Sequence, residues 1–142
     1  MPPSVSRRLD RLAAPLSRRF SVSRTIAAPC DDVWRVLVDT MAWPRWGPSV
    51  RAVEPARLAI EAGARGHVRT SLGFRLPFAI TNVVEGRSWD WKVLGVPATG
   101  HRVEPVSEAS CRASLDVPWW AAPYLAVCAL ALHRIERAVE RR

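Results

Sequence analysis

The sequence predicts an α+β domain in which an antiparallel sheet, apolar on one face, is covered by a long C-terminal helix. Three observations carry this. Short runs of alternating polarity, parted by turn signals, recur between residues 66 and 118. Residues 122–140 change to a period of three and four. The order is strand, two helices, several strands and one long helix, so the terminal helix is the element long enough to cover the apolar face. A chain of 142 residues, 49% of them apolar, fits one ordered domain that hides roughly two thirds of its unfolded surface.

Taken in order, residues 20–27 (FSVSRTIA) alternate and suit a strand. Pro29 fits a first helical turn, where its missing N–H is not needed. Asp31 and Asp32 complement the positive end of the helix dipole, and Val33, Trp34, Leu37 and Val38 follow at helical spacing, which predicts a helix over 30–39. Pro44, Gly47 and Pro48 then allow only a short second helix that breaks near Trp46. Val50–Pro55 suits a strand, and 57–66 a strand edge and loop.

Strands are expected near 66–73, 76–85, 88–95, 98–105 and 110–118. Alternation places Val68, Thr70 and Leu72 on one face, with Phe78, Ile80, Asn82 and Val84, then Trp89, Trp91 and Val93, then Thr99, His101 and Val103, then Cys111, Ala113, Leu115 and Val117. Arg69, Thr81, Asp90, Lys92, Arg102, Glu104, Arg112 and Asp116 take the other face, the polar-out pattern of a one-sided sheet. The last helix carries Leu125, Cys128, Leu132, Ile135 and Val139 as its stripe, with Tyr124, Val127 and Leu130 off it.

The net charge is +8, from 21 basic and 13 acidic residues. Residues 1–19 hold Arg7, Arg8, Arg11, Arg18 and Arg19 against Asp10, half of the excess. The folded part has no basic run on one helix, so specific nucleic-acid binding is not expected. Leu9, Leu12 and Leu16 share a helical face, which leaves open a weak membrane-surface contact through 1–19 beside the plainer reading of a frayed tail. Residues 117–132 are uncharged, but at 16 residues with Pro118 and Pro123 they are too short to span a bilayer. No apolar stretch near the start reads as a secretory signal. Cys30, Cys111 and Cys128 are odd in number and widely spaced, so three free thiols in a reducing, cytoplasmic setting are expected rather than a disulfide or zinc site.

The string Ile26-Ala27-Ala28-Pro29-Cys30-Asp31-Asp32-Val33-Trp34, then Asp39 and Trp43-Pro44-Arg45-Trp46, resembles the opening of the SRPBCC superfamily, which includes START domains, birch-pollen-allergen-like proteins and the polyketide cyclase/dehydrase family. Gly66-His67-Val68-Arg69, Gly86-Arg87, Trp89-Asp90-Trp91, Gly100-His101-Arg102-Val103-Glu104-Pro105 and the closing helix resemble its later elements. The resemblance covers about residues 20–140 and leaves 1–19 as a basic N-terminal tail before a 20–142 domain. It implies a helix-grip fold: a seven-stranded curved antiparallel sheet around a long C-terminal helix, two short helices after the first strand, and a deep cavity between. The chain departs from the pattern at Ser107-Glu108-Ala109 and at Trp119-Trp120.

No nucleophile elbow, metal-ligand spacing or phosphate-cradling Gly motif is present, so no metal and no cofactor are expected. Thr70, Asn82, Thr99 and His101 are the inward polar candidates, and His101, titrating near neutrality, is the best candidate for a polar or acid–base role. Trp46 lies on an irregular segment that the resemblance puts at the cavity mouth. Trp89 and Trp91 share one inward face and would narrow the cavity around a flat apolar ligand. Phe78, Leu115 and Leu125 complete the expected ligand-binding wall. Two functions fit. One is binding of a small hydrophobic or aromatic, lipid- or polyketide-like molecule. The other is a polyketide cyclase, aromatase or dehydratase that uses His101. Either a monomer or a homodimer is compatible with the sequence.

Overall fold

A computed structural model of the chain describes residues 18–140. The elements are β1 (Arg19–Ile26), α1 (Cys30–Val38), α2 (Trp43–Trp46), β2 (Val50–Glu54), β3 (Arg65–Thr70), β4 (Arg75–Val84), β5 (Ser88–Val93), β6 (Val96–Ser107), β7 (Ser110–Pro118), a 3₁₀ turn (Trp119–Tyr124) and α3 (Leu125–Glu140). The strands form one seven-stranded antiparallel sheet in the order β1-β7-β6-β5-β4-β3-β2. β1 and β2 adjoin in sequence yet sit on opposite edges, and α1 and α2 carry the chain between them. The expected seven-stranded helix-grip architecture is therefore the observed one.

α3 runs across the inner face with Cys128, Ala131, Leu132, Ile135 and Val139 buried, and it touches β1, β7, α1 and α2. It begins at Leu125 rather than Ala122, because Pro118 and Pro123 confine the preceding six residues to a 3₁₀ turn. α1 and α2 are locked by their indoles. Trp43 Nε1–H donates to the Leu37 carbonyl at 2.9 Å and Trp46 Nε1–H to the Val36 carbonyl at 3.2 Å. These are carbonyls that the end of a nine-residue helix leaves without intrahelical partners.

A bulge re-aims part of the inner face. The β4–β5 register shifts between Ile80 and Asn82, and one extra residue in a strand moves all that follows to the other face. Asn82 and Val84 are therefore exposed, while Val83 turns inward against the core. The expectation that Asn82 and Val84 face inward is corrected on this ground. Leu72, expected inward, lies 85% exposed in the turn after β3, because that strand ends at Thr70.

Cys30 and Cys111 form a disulfide across 81 residues of sequence, with their Cα atoms 5.0 Å apart, and Cys128 is the free, buried thiol. The expectation of three free cysteines is overturned. Wide sequence spacing hid the pair, because β1 aligns Ile26 with Cys111 and α1 begins four residues later. With two of its three cysteines paired, the chain's cysteine content does not point to a reducing compartment.

Candidate functional site

Register divides the molecule into two ends. One end gathers the start of β2, the β3–β4 and β5–β6 turns, the end of β7 and the 3₁₀ turn. The other gathers the β4–β5 and β6–β7 turns and the disulfide. The cavity opens at the first.

Its inner part is filled by aromatic rings. Trp89 is fully buried and sandwiched, with Trp43 stacked on it at 5.0 Å and His101 at 3.7 Å between ring centroids. Trp91 meets Trp43, Phe78 and Trp89 edge-on at 5.3–5.7 Å. Trp46 stands edge-on to His101 at 5.9 Å. Such pairs each add about 0.5–1.5 kcal/mol beyond their buried area. The deep cavity implied by the resemblance is thereby reduced to a recess of about 50 Å³ bounded by Trp43, Trp46, Trp89, His101, Leu115 and Cys128.

Three hydrogen bonds thread this cluster. The Trp89 carbonyl accepts from His101 Nδ1–H at 3.2 Å, which leaves Nε2 as an acceptor. Thr99 Oγ1–H donates to that nitrogen at 3.1 Å, and Thr99 Oγ1 in turn accepts from Trp91 Nε1–H at 3.0 Å. The alignment comes from a second bulge, where the β5–β6 register shifts between Asp90 and Lys92 and sets Ala98 and Thr99 opposite Trp91. Burial withholds water from an imidazolium and lowers the His101 pKa to about 3; the bond to the Trp89 carbonyl opposes this shift and the Arg19 charge adds to it. His101 is thus a neutral ring with both nitrogens engaged. Trp89 Nε1–H is buried without a partner among the described residues.

Outward from the recess the cavity widens to about 300 Å³, with Thr70, Leu76, Val93, Val96, Val117 and Trp120 among its walls. Ser49, Val50, Trp91, Thr99 and Tyr124 border both parts. Tyr124 Oη and Ser49 Oγ hydrogen bond at 2.7 Å, joining the 3₁₀ turn to the loop before β2. Burial raises the pKa of the Tyr124 hydroxyl, and it raises the Cys128 thiol to about 11, so both stay neutral. No Asp, Glu, Lys or Arg lines either part among the described residues. A broader depression of about 790 Å³ lies on the outer face, with Arg65, His67, Arg75 and Lys92 around it. Phe78 borders it and packs on its other side against Trp43 and Trp91.

The sheet and helices combine in the order strand, two short helices, six strands and a closing helix. The family model for polyketide cyclase/dehydrase and lipid transport proteins matches residues 17–141. The chain belongs to that family. Solved structures share this family fold at low identity. MLL2253 from Mesorhizobium loti is 12% identical with a TM-score of 0.69, covering 87% of this chain and 98% of its own. NE0264 from Nitrosomonas europaea is 14% identical with a TM-score of 0.66, covering 87% and 94%. DynU16, a protein of the dynemicin biosynthetic locus, is 20% identical with a TM-score of 0.64, covering 86% of this chain and 47% of its own. No curated protein matches the sequence.

Against this family frame, the structure brings Trp46, Trp89, Trp91, Thr99, His101 and Leu115 together around the recess and Thr70 into the wider part. Phe78 packs inward against Trp43 and Trp91 but lines neither part, and Leu125 is half-buried against the core outside both. Asn82, exposed beyond its bulge, is not at the cavity. Ser49, Tyr124 and Trp120 were missed. Tyr124 lies off the helical stripe, and a 3₁₀ turn aims it at the loop before β2. Residues 1–17, including most of the basic tail, lie outside the described residues. No described helix is long and apolar enough to cross a membrane.

Proposed function

We propose that this family member binds a small, uncharged, hydrophobic molecule in the outer part of the cavity. The observation that carries the reading is a 300 Å³ apolar space with no charged wall, closed at its inner end by an aromatic cluster threaded by the Trp91–Thr99–His101 hydrogen bonds. At about 30 Å³ per small group, that volume takes roughly ten non-hydrogen atoms, a bicyclic ring or a short acyl chain. Burial of an ion there would go uncompensated, which disfavours charged ligands. Thr99 borders both parts, and the remaining lone pair of its Oγ1 supplies a polar inner end that accepts from one ligand hydroxyl.

An acid–base role for His101 has less support. A general base needs a free lone pair within reach of the substrate, and both His101 nitrogens are bonded within the protein. Tyr124 and Cys128, the other titratable groups on the recess, are held neutral by burial.

Calorimetric titration with 2-naphthol, which has the right size and one hydroxyl, tests the reading. Saturable binding is expected in the wild-type chain, weakened on the order of tenfold in Val96→Trp, which fills the opening from an exposed strand start. No binding of 2-naphthol or decanol, with no ligand carried through native mass spectrometry, would refute it.

A further inference from the structure

We propose that the open end of the cavity is a docking surface for an anionic lipid bilayer. Leu72 and Phe74 in the β3–β4 turn, Leu94 and Val96 at the β5–β6 turn, and Trp119 and Trp120 in the 3₁₀ turn are 45–85% exposed. They come from three separate segments, and the register brings all three to one end of the sheet. Val96 and Trp120 also form part of the cavity wall, so the apolar rim is continuous with the opening. Indole rings favour the headgroup level of a membrane, where an apolar body and a polar N–H are both satisfied. Leu94 has φ 54° beside Gly95 at φ 74°. Asn, Asp or Gly meets such a hairpin turn at less cost. Here the turn instead holds an exposed leucine out at the rim.

Charge selects the partner. Arg18, Arg51 and Arg69 are exposed at this end. Of the acids nearest to it, Asp116 is paired with Arg19 and Arg102 and Glu54 with Arg75, which leaves Asp90, level with Asp116 across β6, as the acid without an ion pair among the described residues. Asp31, Asp32, Glu85 and Glu108 lie at the opposite end, around the disulfide and the other two turns. The chain N-terminal to Arg18 joins here as well, since the Arg18 carbonyl accepts from Trp119 N–H at 3.0 Å. That segment carries Arg7, Arg8 and Arg11 against Asp10. An apolar, Trp-bearing rim flanked by exposed arginines at both edges of the sheet matches an acidic membrane surface. A second copy would bring the same arginines face to face.

Docked this way, the rim would place the opening against lipid, where an apolar ligand could pass without crossing water. That consequence rests on the proposed ligand binding, whereas the docking itself does not. The test is co-sedimentation of the full, ligand-free chain with phosphatidylcholine vesicles, with and without phosphatidylserine. Binding to the phosphatidylserine vesicles is expected, with a blue shift of Trp emission and loss at high salt. Leu72→Ser with Phe74→Ser and Trp119→Ser should weaken it on the order of tenfold or more. Arg69→Ser should weaken it about fivefold. Val106→Ser, an exposed site outside this end, should leave it unchanged. Circular dichroism checks that the variants fold, and 2-naphthol titration of the same variants reads the cavity separately. Three results would overturn the proposal: no wild-type binding to acidic vesicles, a triple variant that binds as well as wild type, or a wild-type dimer in sedimentation velocity that the triple variant dissolves.

Discussion

Trp89 and His101 lie face to face, their ring centroids 3.7 Å apart and their planes within 10°. The stack makes the histidine part of the core. Its nitrogens bond to Thr99 and to the backbone of Trp89 itself, 12 residues away. A residue type that usually senses pH is thereby kept neutral, and stability becomes tied to that neutrality.

With its folded pKa lowered to about 3 and an unfolded value near 6.5, His101 binds its proton more readily in the unfolded chain. Stability from this group is therefore complete above about pH 6.5 and falls as pH drops toward 3, by at most about 1.4 kcal/mol per pH unit. Urea unfolding of wild type and His101→Gln between pH 7.5 and 4.5 should show a difference that narrows by about 2–3 kcal/mol. Nitrogen NMR should show the Nδ1–H tautomer persisting at pH 5. A histidine that titrates near 6.5 would contradict the arrangement.

Thr99 links two rings. Thr99→Val removes the acceptor for Trp91 Nε1–H and the donor to His101 Nε2 without changing side-chain shape. Leaving such groups unpaired costs about 1–3 kcal/mol. Thr99→Ser keeps the hydroxyl and should lose less. Equal losses in the two variants, measured by urea denaturation, would mean that the hydrogen-bond chain contributes little.

The Cys30–Cys111 bond closes a long loop, 81 residues apart in sequence. Constraining the unfolded chain over that length contributes about 4.5 kcal/mol in the loop-entropy account. Reduction, or Cys30→Ser with Cys111→Ser, should lower Tm markedly. Thiol titration of the unreduced, denatured chain should find Cys128 alone; three reactive thiols would remove the basis for this prediction.

Leu94 sits in the left-handed region on an exposed turn. Leu94→Asn relieves that conformation and should stabilise the chain by about 0.5–1 kcal/mol in a thermal melt. If Leu94 belongs to a docking rim, the same change weakens vesicle binding. A variant that gains no stability would show that the leucine makes a contact worth as much as the strain.

Local pattern determined most of the fold. Period-two runs, the Pro29 helix start and the Leu125–Val139 stripe each express one element's contact with one core, and such contacts repeat along the chain at fixed spacing. The aromatic character of the inner face was legible for the same reason, through Trp89, Trp91, Thr99 and His101. Tertiary structure decided what that face does. A single extra residue after Ile80 sent Asn82 to the surface, and no alternation reveals a bulge in advance. Cys30 and Cys111 pair because β1 and β7 are neighbours, an adjacency set by the whole sheet. The size of the cavity depended on whether Trp43, Trp89 and His101 would stack or stand apart, and only their packing in three dimensions settles that. By itself the sequence determined a basic, Trp-rich helix-grip domain. The folded chain turned most of that tryptophan into core, and left a small neutral opening with leucine, tryptophan and arginine exposed at the same end.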